Sequence, residues 1–306
     1  MPVGESNKGI SATKGQTYFS FQSSFTTINW WHEQLDSEPF DHKGDLNTFV
    51  VMPKLLYGIT NKVNLSVSTT LGIRKMNWKS QKHSIHHRDE TTLSGFDNAK
   101  GSILGDTKAV FRYVLRRTKS GSGLRVYTGA GLTIPSNSVL TSDPFFLSPD
   151  DEEVDHRHFS LSNGTYNSII EMQVFYKRNV NPVFIGGFLT FERPMTVSEY
   201  GYLPPNITSL SFSASFMNYD QRESSFDYGL SLIHNSKGYW NDIYAPNSES
   251  LTAVPSVGYL FNSRFGVISV NLQKPMFLSG AFVGNEGDIR QKSGVWQISL
   301  SLRYVR

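Results

Sequence analysis

Residues 108–117 read KAVFRYVLRR. Side chains alternate along an extended chain, so Lys108, Val110, Arg112, Val114 and Arg116 share one side while Ala109, Phe111, Tyr113 and Leu115 share the other. One face is wholly apolar and the opposite face carries three cations. An apolar face with aromatics at this density needs either a protein core or hydrocarbon. The cationic face needs water or counter-charges.

The same alternation recurs along most of the chain, in segments paired around short polar turns. FVVMPKLLYG and VNLSVSTTLGIR flank residues 59–62, and DTKAVFRYVLRR and GLRVYTGAGLTIP flank TKSGSG. YNSIIEMQVFYKR and PVFIGGFLTFERP flank 179–181, SLSFSASFMNY and FDYGLSLIHN flank DQRESS, and AVPSVGYLFN and FGVISVNLQKP flank 262–264. With QTYFSFQSSFTTINWW at the start and GVWQISLSLRYVR at the end, about twelve strands are expected. The remaining connections are long: 33–46, 79–104, 137–164, 194–207, 235–250 and 278–293. An even number of antiparallel strands, with short turns at one end and long loops at the other, is the pattern of an outer-membrane β-barrel. A water-soluble β-sandwich also alternates, but it seldom has every second connection this long.

Sorting the faces favours the barrel. Val63, Leu65, Val67, Leu71 and Ile73 oppose Asn64, Ser66, Ser68, Thr70 and Arg74. Leu124, Val126, Ala130, Leu132 and Ile134 oppose Arg125, Tyr127, Gly129, Gly131 and Thr133. Ile170, Met172, Val174 and Tyr176 oppose Glu171, Gln173, Phe175 and Lys177, while Leu210, Phe212, Ala214 and Phe216 oppose four serines. Trp296, Ile298, Leu300, Leu302 and Tyr304 oppose Gln297, Ser299, Ser301 and Arg303. The fold class expected is therefore all-β: one antiparallel transmembrane barrel with its apolar face in lipid and its polar face in a wet lumen. A strand in lipid must satisfy its backbone through neighbours, so the sheet must close. Small serines and glycines on the inner face are expected to leave room there for water or solute.

Composition narrows the classes. The chain has 306 residues, 38% hydrophobic and 13% aromatic, with a net charge of +3 spread over many strands. That distribution is not the one-sided basic face of a nucleic-acid binder. No apolar run approaches the roughly 18 residues of a spanning helix. Cysteine is absent, which removes disulfides and thiol chemistry. Residues 1–15 form a polar leader and 16–306 the barrel. The start MPVGESNKGISATKGQ has no apolar core, so any export signal is read as already removed, and the expected location is the bacterial outer membrane. The leader is expected on the periplasmic side, touching a partner or lying in the lumen. No nucleotide site is recognisable, and no cofactor is expected.

The last strand leads through alternating apolar residues to Tyr304, much like the terminal signal of barrel assembly, although Val305 and Arg306 follow it. LLYGITNKVNLSVSTTLGI, GDTKAVFRYVLRR, GLRVYTGAGLTIPSN, HFSLSNGTYNSIIEMQVFYKR, YGYLPPN, VPSVGYLF and VNLQKPM follow in this order. Together they resemble the outer-membrane barrel family of the meta-pathway of phenol degradation, over about residues 45–306. The resemblance implies a transporter or channel, often linked with uptake of aromatic or other small organic compounds. It supplies no catalytic residue.

The lumen-lining candidates are Lys108, Arg112, Arg116, Arg125, Glu171, Gln173, Lys177, Glu192 and Arg74, with Asp106 also on an inner face. Charged rings of this kind set ion preference in open pores. The same residues also suit an internal salt-bridge network filling a structural barrel that belongs to a larger outer-membrane assembly. A hydrolase reading rests on His158, Ser160 and Asn163, an H-x-S pair with a nearby Asn similar to that of outer-membrane phospholipases. His83, His86, His87, Asp150, Asp151, Glu152, Glu153, Asp155, His156 and His158 crowd two long loops, but their spacing fits no defined metal loop and no metal is expected. Loop aromatics in FF (145–146), YGY (200–202) and WNDIY (240–244) suit a hydrophobic doorway, an outer aromatic girdle or loop packing. The partners expected are membrane lipid, lipopolysaccharide, a small-molecule solute and outer-membrane proteins.

Overall fold

The computed structural model describes residues 9–34, 38–84, 88–118, 121–147, 156–220, 224–281, 283–286 and 289–305. His86, His87 and the acidic residues 150–155 lie outside the described residues.

Twelve barrel strands are present: β1 (Thr17–His32), β2 (His42–Gly58), β3 (Val63–Trp78), β4 (Leu104–Arg117), β5 (Gly123–Ile134), β6 (Asn167–Lys177), β7 (Phe184–Pro194), β8 (Ile207–Met217), β9 (Ser224–Asn235), β10 (Ser250–Ser263), β11 (Gly266–Gln273) and β12 (Ile289–Val305). Each pairs antiparallel with the next in sequence. β12 returns to pair with β1 from Tyr18↔Val305 to His32↔Gln291, which closes the cylinder. The architecture is a transmembrane barrel with short periplasmic turns and long extracellular loops.

Inside and outside are reversed relative to a soluble protein. Phe111 is 55% exposed and Leu300 is 50% exposed, so neither lies between stacked sheets. Buried positions are instead held by Asn64, Ser66, Arg112, Glu171, Gln173, Ser209, Ser211, Ser231, Asn271, Ser299 and Ser301. Hydrogen bonds between neighbouring strands tie this polar interior, as in Ser211–Ser231 and Ser269–Ser301, each at 2.6 Å.

A spanning strand needs about 9–11 residues. β1, β2 and β3 have 16 or 17, so one wall of the barrel rises well beyond the apolar band at the long-loop end. Residues 42–46 belong to this extension, where the sequence suggested loop: they pair with Ile28–His32. Pro53 lacks an N–H, and the β2–β3 ladder skips from Val51↔Leu71 to Lys54↔Ser68. On the β11 side, the edge of β12 has no ladder partner across residues 292–296 among the described residues, because β11 ends at Gln273 and residues 276–280 pair with β10.

A β-bulge in β4 overturns one detail of the alternation. Val114 pairs with Tyr127, but Arg116 pairs with Val126 and Arg117 with Arg125. The extra residue reverses the parity. Arg116, expected in the lumen, is exposed beside an outward neighbour, and Arg117 takes the inward place.

Candidate functional site

The inner face of β1 begins as Ser20, Gln22, Ser24 and Thr26, then changes to Ile28 and Trp30. Register places Leu46 of β2 opposite Ile28, and Met76 of β3 opposite Leu46. The upper lumen is therefore apolar along this wall. Trp30, Met76 and the loop residue Phe159 form a buried cluster with Leu46 and Trp78 packed against it.

Above and beside that wall lies a cavity of about 740 Å³. Its lining includes Trp30, Leu46, Met76, Phe145, Phe146 and Trp240, with Arg74, His158, Ser160 and Gln291 among its polar groups. A mostly apolar concavity of this size with a few convergent polar groups has the character of a small-molecule site. Its roof comes from loops that fold inward. Residues 202–203, 239–240 and 243–244 form a three-stranded sheet, in which Tyr202 stacks on Trp240 with centroids 4.7 Å apart. Trp240 is only 3% exposed, and burial pushes the Tyr202 hydroxyl up to about 12. Thus FF, YGY and WNDIY each send an aromatic side chain to one chamber.

Arg157 holds two long loops together. It is fully buried; its Nη1 donates to the Thr91 carbonyl at 3.0 Å, and its backbone N–H donates to Asn98 Oδ1 at 2.9 Å. Its guanidinium lies 5.7 Å from the Phe96 ring and 6.0 Å from that of Phe159. Glu90 lies in the same loop interior. Burial pushes its carboxyl up to about 8, against the opposing pull of Arg157 and Arg88. Its Oε2 has no hydrogen-bond partner among the described residues, which fits the neutral acid.

Below the cavity, the β4–β7 side of the lumen is filled. Arg112 and Glu171 form a two-pronged ion pair through Nε–Oε1 and Nη2–Oε2. The pair crosses β5 above Gly129, which stands in register between them. A Cβ at Gly129 would sit 2.7 Å from Glu171 Cγ, so the space left by this glycine is taken by the carboxylate side chain and is not open pore. One layer nearer the exterior, Glu192 pairs with Lys108 and accepts from Thr133 Oγ1 at 2.7 Å and Asn167 Nδ2 at 3.0 Å.

Residues 9–12 lie inside the periplasmic end, and Thr13, Lys14 and Gly15 are exposed at its rim. The Gly9 N–H donates to Gln173 Oε1 at 3.1 Å, and the Gly9 carbonyl accepts from Tyr127 Oη at 3.1 Å and Arg125 Nη1 at 3.3 Å. Arg117 Nη1 donates to Ser11 Oγ at 2.9 Å, and Asn64 exchanges two hydrogen bonds with the backbone of Ala12. Gly15 and Gln16 pair with the backbone of Gly58, where any Cβ would collide with the Thr13 carbonyl.

Lys108 and Arg112 are thus paired with Glu192 and Glu171, while Arg125 donates to the Gly9 carbonyl. Lys108, Arg112, Glu171, Gln173, Glu192 and Arg125 converge on this filled layer. Arg74 reaches up instead, donating from Nη1 to the Ser160 carbonyl at 2.7 Å in the cavity. Asp106 accepts from the Ser136 N–H at 3.1 Å. Lys177 is exposed at the periplasmic end of β6. The hydrolase constellation is not set for nucleophilic attack. His158 and Ser160 sit in loop, before β6 begins; Ser160 Oγ donates to the Ser162 carbonyl at 2.7 Å, and His158 Nε2 meets His156 Nε2 at 3.0 Å. Among the described residues, no group of three or more His, Asp or Glu is placed to hold a metal ion.

The cylinder, its reversed faces and its roofed lumen define an outer-membrane-type β-barrel. The same fold is found in an outer membrane channel from Pseudomonas putida F1, to which the chain is 10% identical, with 100% of each chain covered and a TM-score of 0.63. Weaker likenesses are to the P. putida toluene transporter TodX (10% identity, 96% of this chain and 90% of that one, TM-score 0.46) and the monoaromatic hydrocarbon channel CymD (8%, 96% and 89%, 0.42). No family model and no curated protein matches the sequence.

Proposed function

We propose that the chain is a passive channel of the bacterial outer membrane that admits small hydrophobic solutes, aromatic ones above all. The observation that carries this reading is the 740 Å³ chamber at the extracellular end, walled by Trp30, Met76 and Phe159 and roofed by Phe145, Phe146 and Trp240. Water alone gains nothing from such a lining, whereas burying an apolar solute there is favoured by about 25 cal/mol for each Å² removed from water. The resemblance to the phenol meta-pathway barrels points to the same solute class. Beneath the chamber, Lys108, Arg112, Arg125, Glu171, Gln173 and Glu192, with Arg74 above and Lys177 below, form a charged septum that disfavours free ions and sets what crosses. The reading is tested by titrating the purified protein with toluene and, separately, glucose while following tryptophan fluorescence. Saturable quenching by toluene alone is expected, and weakening of it in Trp240→Ala. Equal responses to both solutes would end the proposal.

A second reading has its own support. Residues 9–12 and the Arg112–Glu171 and Lys108–Glu192 pairs occupy the lower lumen, as they would in a structural barrel that conducts nothing and serves an outer-membrane assembly. Planar bilayers separate the two: discrete conductance steps favour the channel, and a silent membrane favours the scaffold. Hydrolysis is not proposed, and no release of fatty acid from phospholipid is expected.

A further inference from the structure

The outer wall carries a one-sided gradient. Cross-strand register places Ile298, Phe25, Phe49 and Ile73 in one outward row over β12, β1, β2 and β3. Two residues towards the long loops the row becomes Trp296, Thr27, Asn47 and Lys75, with the Lys274 ammonium 4.3 Å from the Trp296 ring centroid. Four residues further along each strand stand Lys292, Trp31, Lys43 and, just past β3, Lys79, whose N–H donates to the Lys43 carbonyl. Lys292 Nζ lies 4.9 Å from the centre of the Trp31 ring. Lys43, Lys75, Lys79 and Lys292 are exposed. The carboxylates nearby are already engaged: Asp45 by Lys79 and Asn29, and Asp41 by Trp31 Nε1. On the far wall, the outward positions at the same end of β5–β8 are Ile134, Ser168, Arg193 and Thr208, a single cation.

The six residues from Phe25 to Trp31 rise about 20 Å along the strand, or about 15 Å along the membrane normal at the usual tilt. The lysine rows thus stand at head-group depth beside the apolar band. Three strand spacings make the outermost row about 14 Å wide, enough for two separated phosphates and too wide for one. We propose that this face binds a bisphosphorylated glycolipid of the outer leaflet, of the lipopolysaccharide kind. Its acyl chains lie on the Phe25, Phe49, Ile73 and Ile298 row, its sugars stack beside Trp31, and its phosphates sit among Lys43, Lys292, Lys75 and Lys274, with Lys79 reached in competition with Asp45. The inference rests on the long-loop end facing the exterior.

Native mass spectrometry of the detergent-solubilised protein, titrated with bisphosphorylated lipid A, monophosphorylated lipid A or phosphatidylglycerol, provides the test. Affinity is expected to fall in that order and to weaken with salt. Lys43→Gln/Lys79→Gln/Lys292→Gln should bind bisphosphorylated lipid A roughly a hundredfold more weakly. Lys62→Gln/Lys237→Gln, altered elsewhere, should match the parent. A heat-dependent gel shift shows that each variant still forms the barrel. Equal affinity of the triple variant and the parent, or phosphatidylglycerol binding as tightly as lipid A, would overturn the inference. Labelling of Gly95→Cys on intact cells by an impermeant maleimide separates the failures. With labelling but no glycolipid binding only this site falls; without labelling the orientation falls too.

Discussion

Removing Glu171 alone should destabilise the barrel far more than removing it together with Arg112. The Arg112 and Glu171 side chains are 7% and 4% exposed, and the two charges meet through two hydrogen bonds. In Glu171→Ala the guanidinium stays charged, stays buried and loses the carboxylate that both of these bonds reach. Leaving one partner of such a pair uncompensated costs about 3–5 kcal/mol. In Arg112→Met/Glu171→Met both charges go and the volume is largely kept, so the cost should be within about 1 kcal/mol or even a small gain. The coupling between the two positions is then about 3 kcal/mol in a double-mutant cycle. It is read from urea unfolding of barrels refolded into lipid vesicles, followed by tryptophan fluorescence. Gly129→Ala gives an independent check, since its Cβ would press on Glu171 Cγ at 2.7 Å and should cost about 1–3 kcal/mol as an overpacked contact. If the single and double variants lose equal stability, the buried charge does not dominate and the account of the septum is wrong.

Other outcomes follow from the same geometry. Deleting residues 9–14 removes the segment hydrogen-bonded to Gln173, Tyr127, Arg117 and Asn64, and should raise single-channel conductance in planar bilayers severalfold. Glu90 binds its proton more tightly in the folded loops than in the unfolded chain. Its contribution is therefore complete below its ordinary pKa and is lost as pH rises through about 8; protease cutting of loop 79–103 should speed up across that window, and Glu90→Gln should abolish the change. Arg157→Ala leaves Asn98 its backbone contacts but deletes the bond to Thr91, and the same loop should be cut faster at every pH.

Most of the wall was legible because strand periodicity is local. From Ala109 to Val114 each residue faces as its parity demands, and the fault begins at Arg116, where a bulge between Val114 and Arg116 reverses the order. A bulge depends on what the partner strand offers, here Tyr127 and Val126, and KAVFRYVLRR contains no sign of it. The lumen was harder. Arg112 and Glu171 were recognisable as inward charges, but their pairing across Gly129 needs the register of three strands. Gly129 read as empty space when it is clearance for a side chain. The cavity did leave a trace. Ile28 and Trp30 share the parity of Ser20 and Gln22, so the inner face of β1 turns greasy just where the loops begin. The roof left a partial trace: Phe145, Tyr202 and Trp240 stood out as loop aromatics suited to a doorway, a girdle or loop packing, and the choice among these is set by contacts far apart in sequence.

Spin labels placed singly at positions 296–304 of β12, in barrels embedded in lipid vesicles, most directly test the division between hydrocarbon outside and polar lumen within. Collisions with oxygen dissolved in lipid should be frequent at 296, 298, 300, 302 and 304 and rare at 297, 299, 301 and 303. Uniform accessibility to a water-borne nickel reagent at all nine positions, or no period of two, would contradict it.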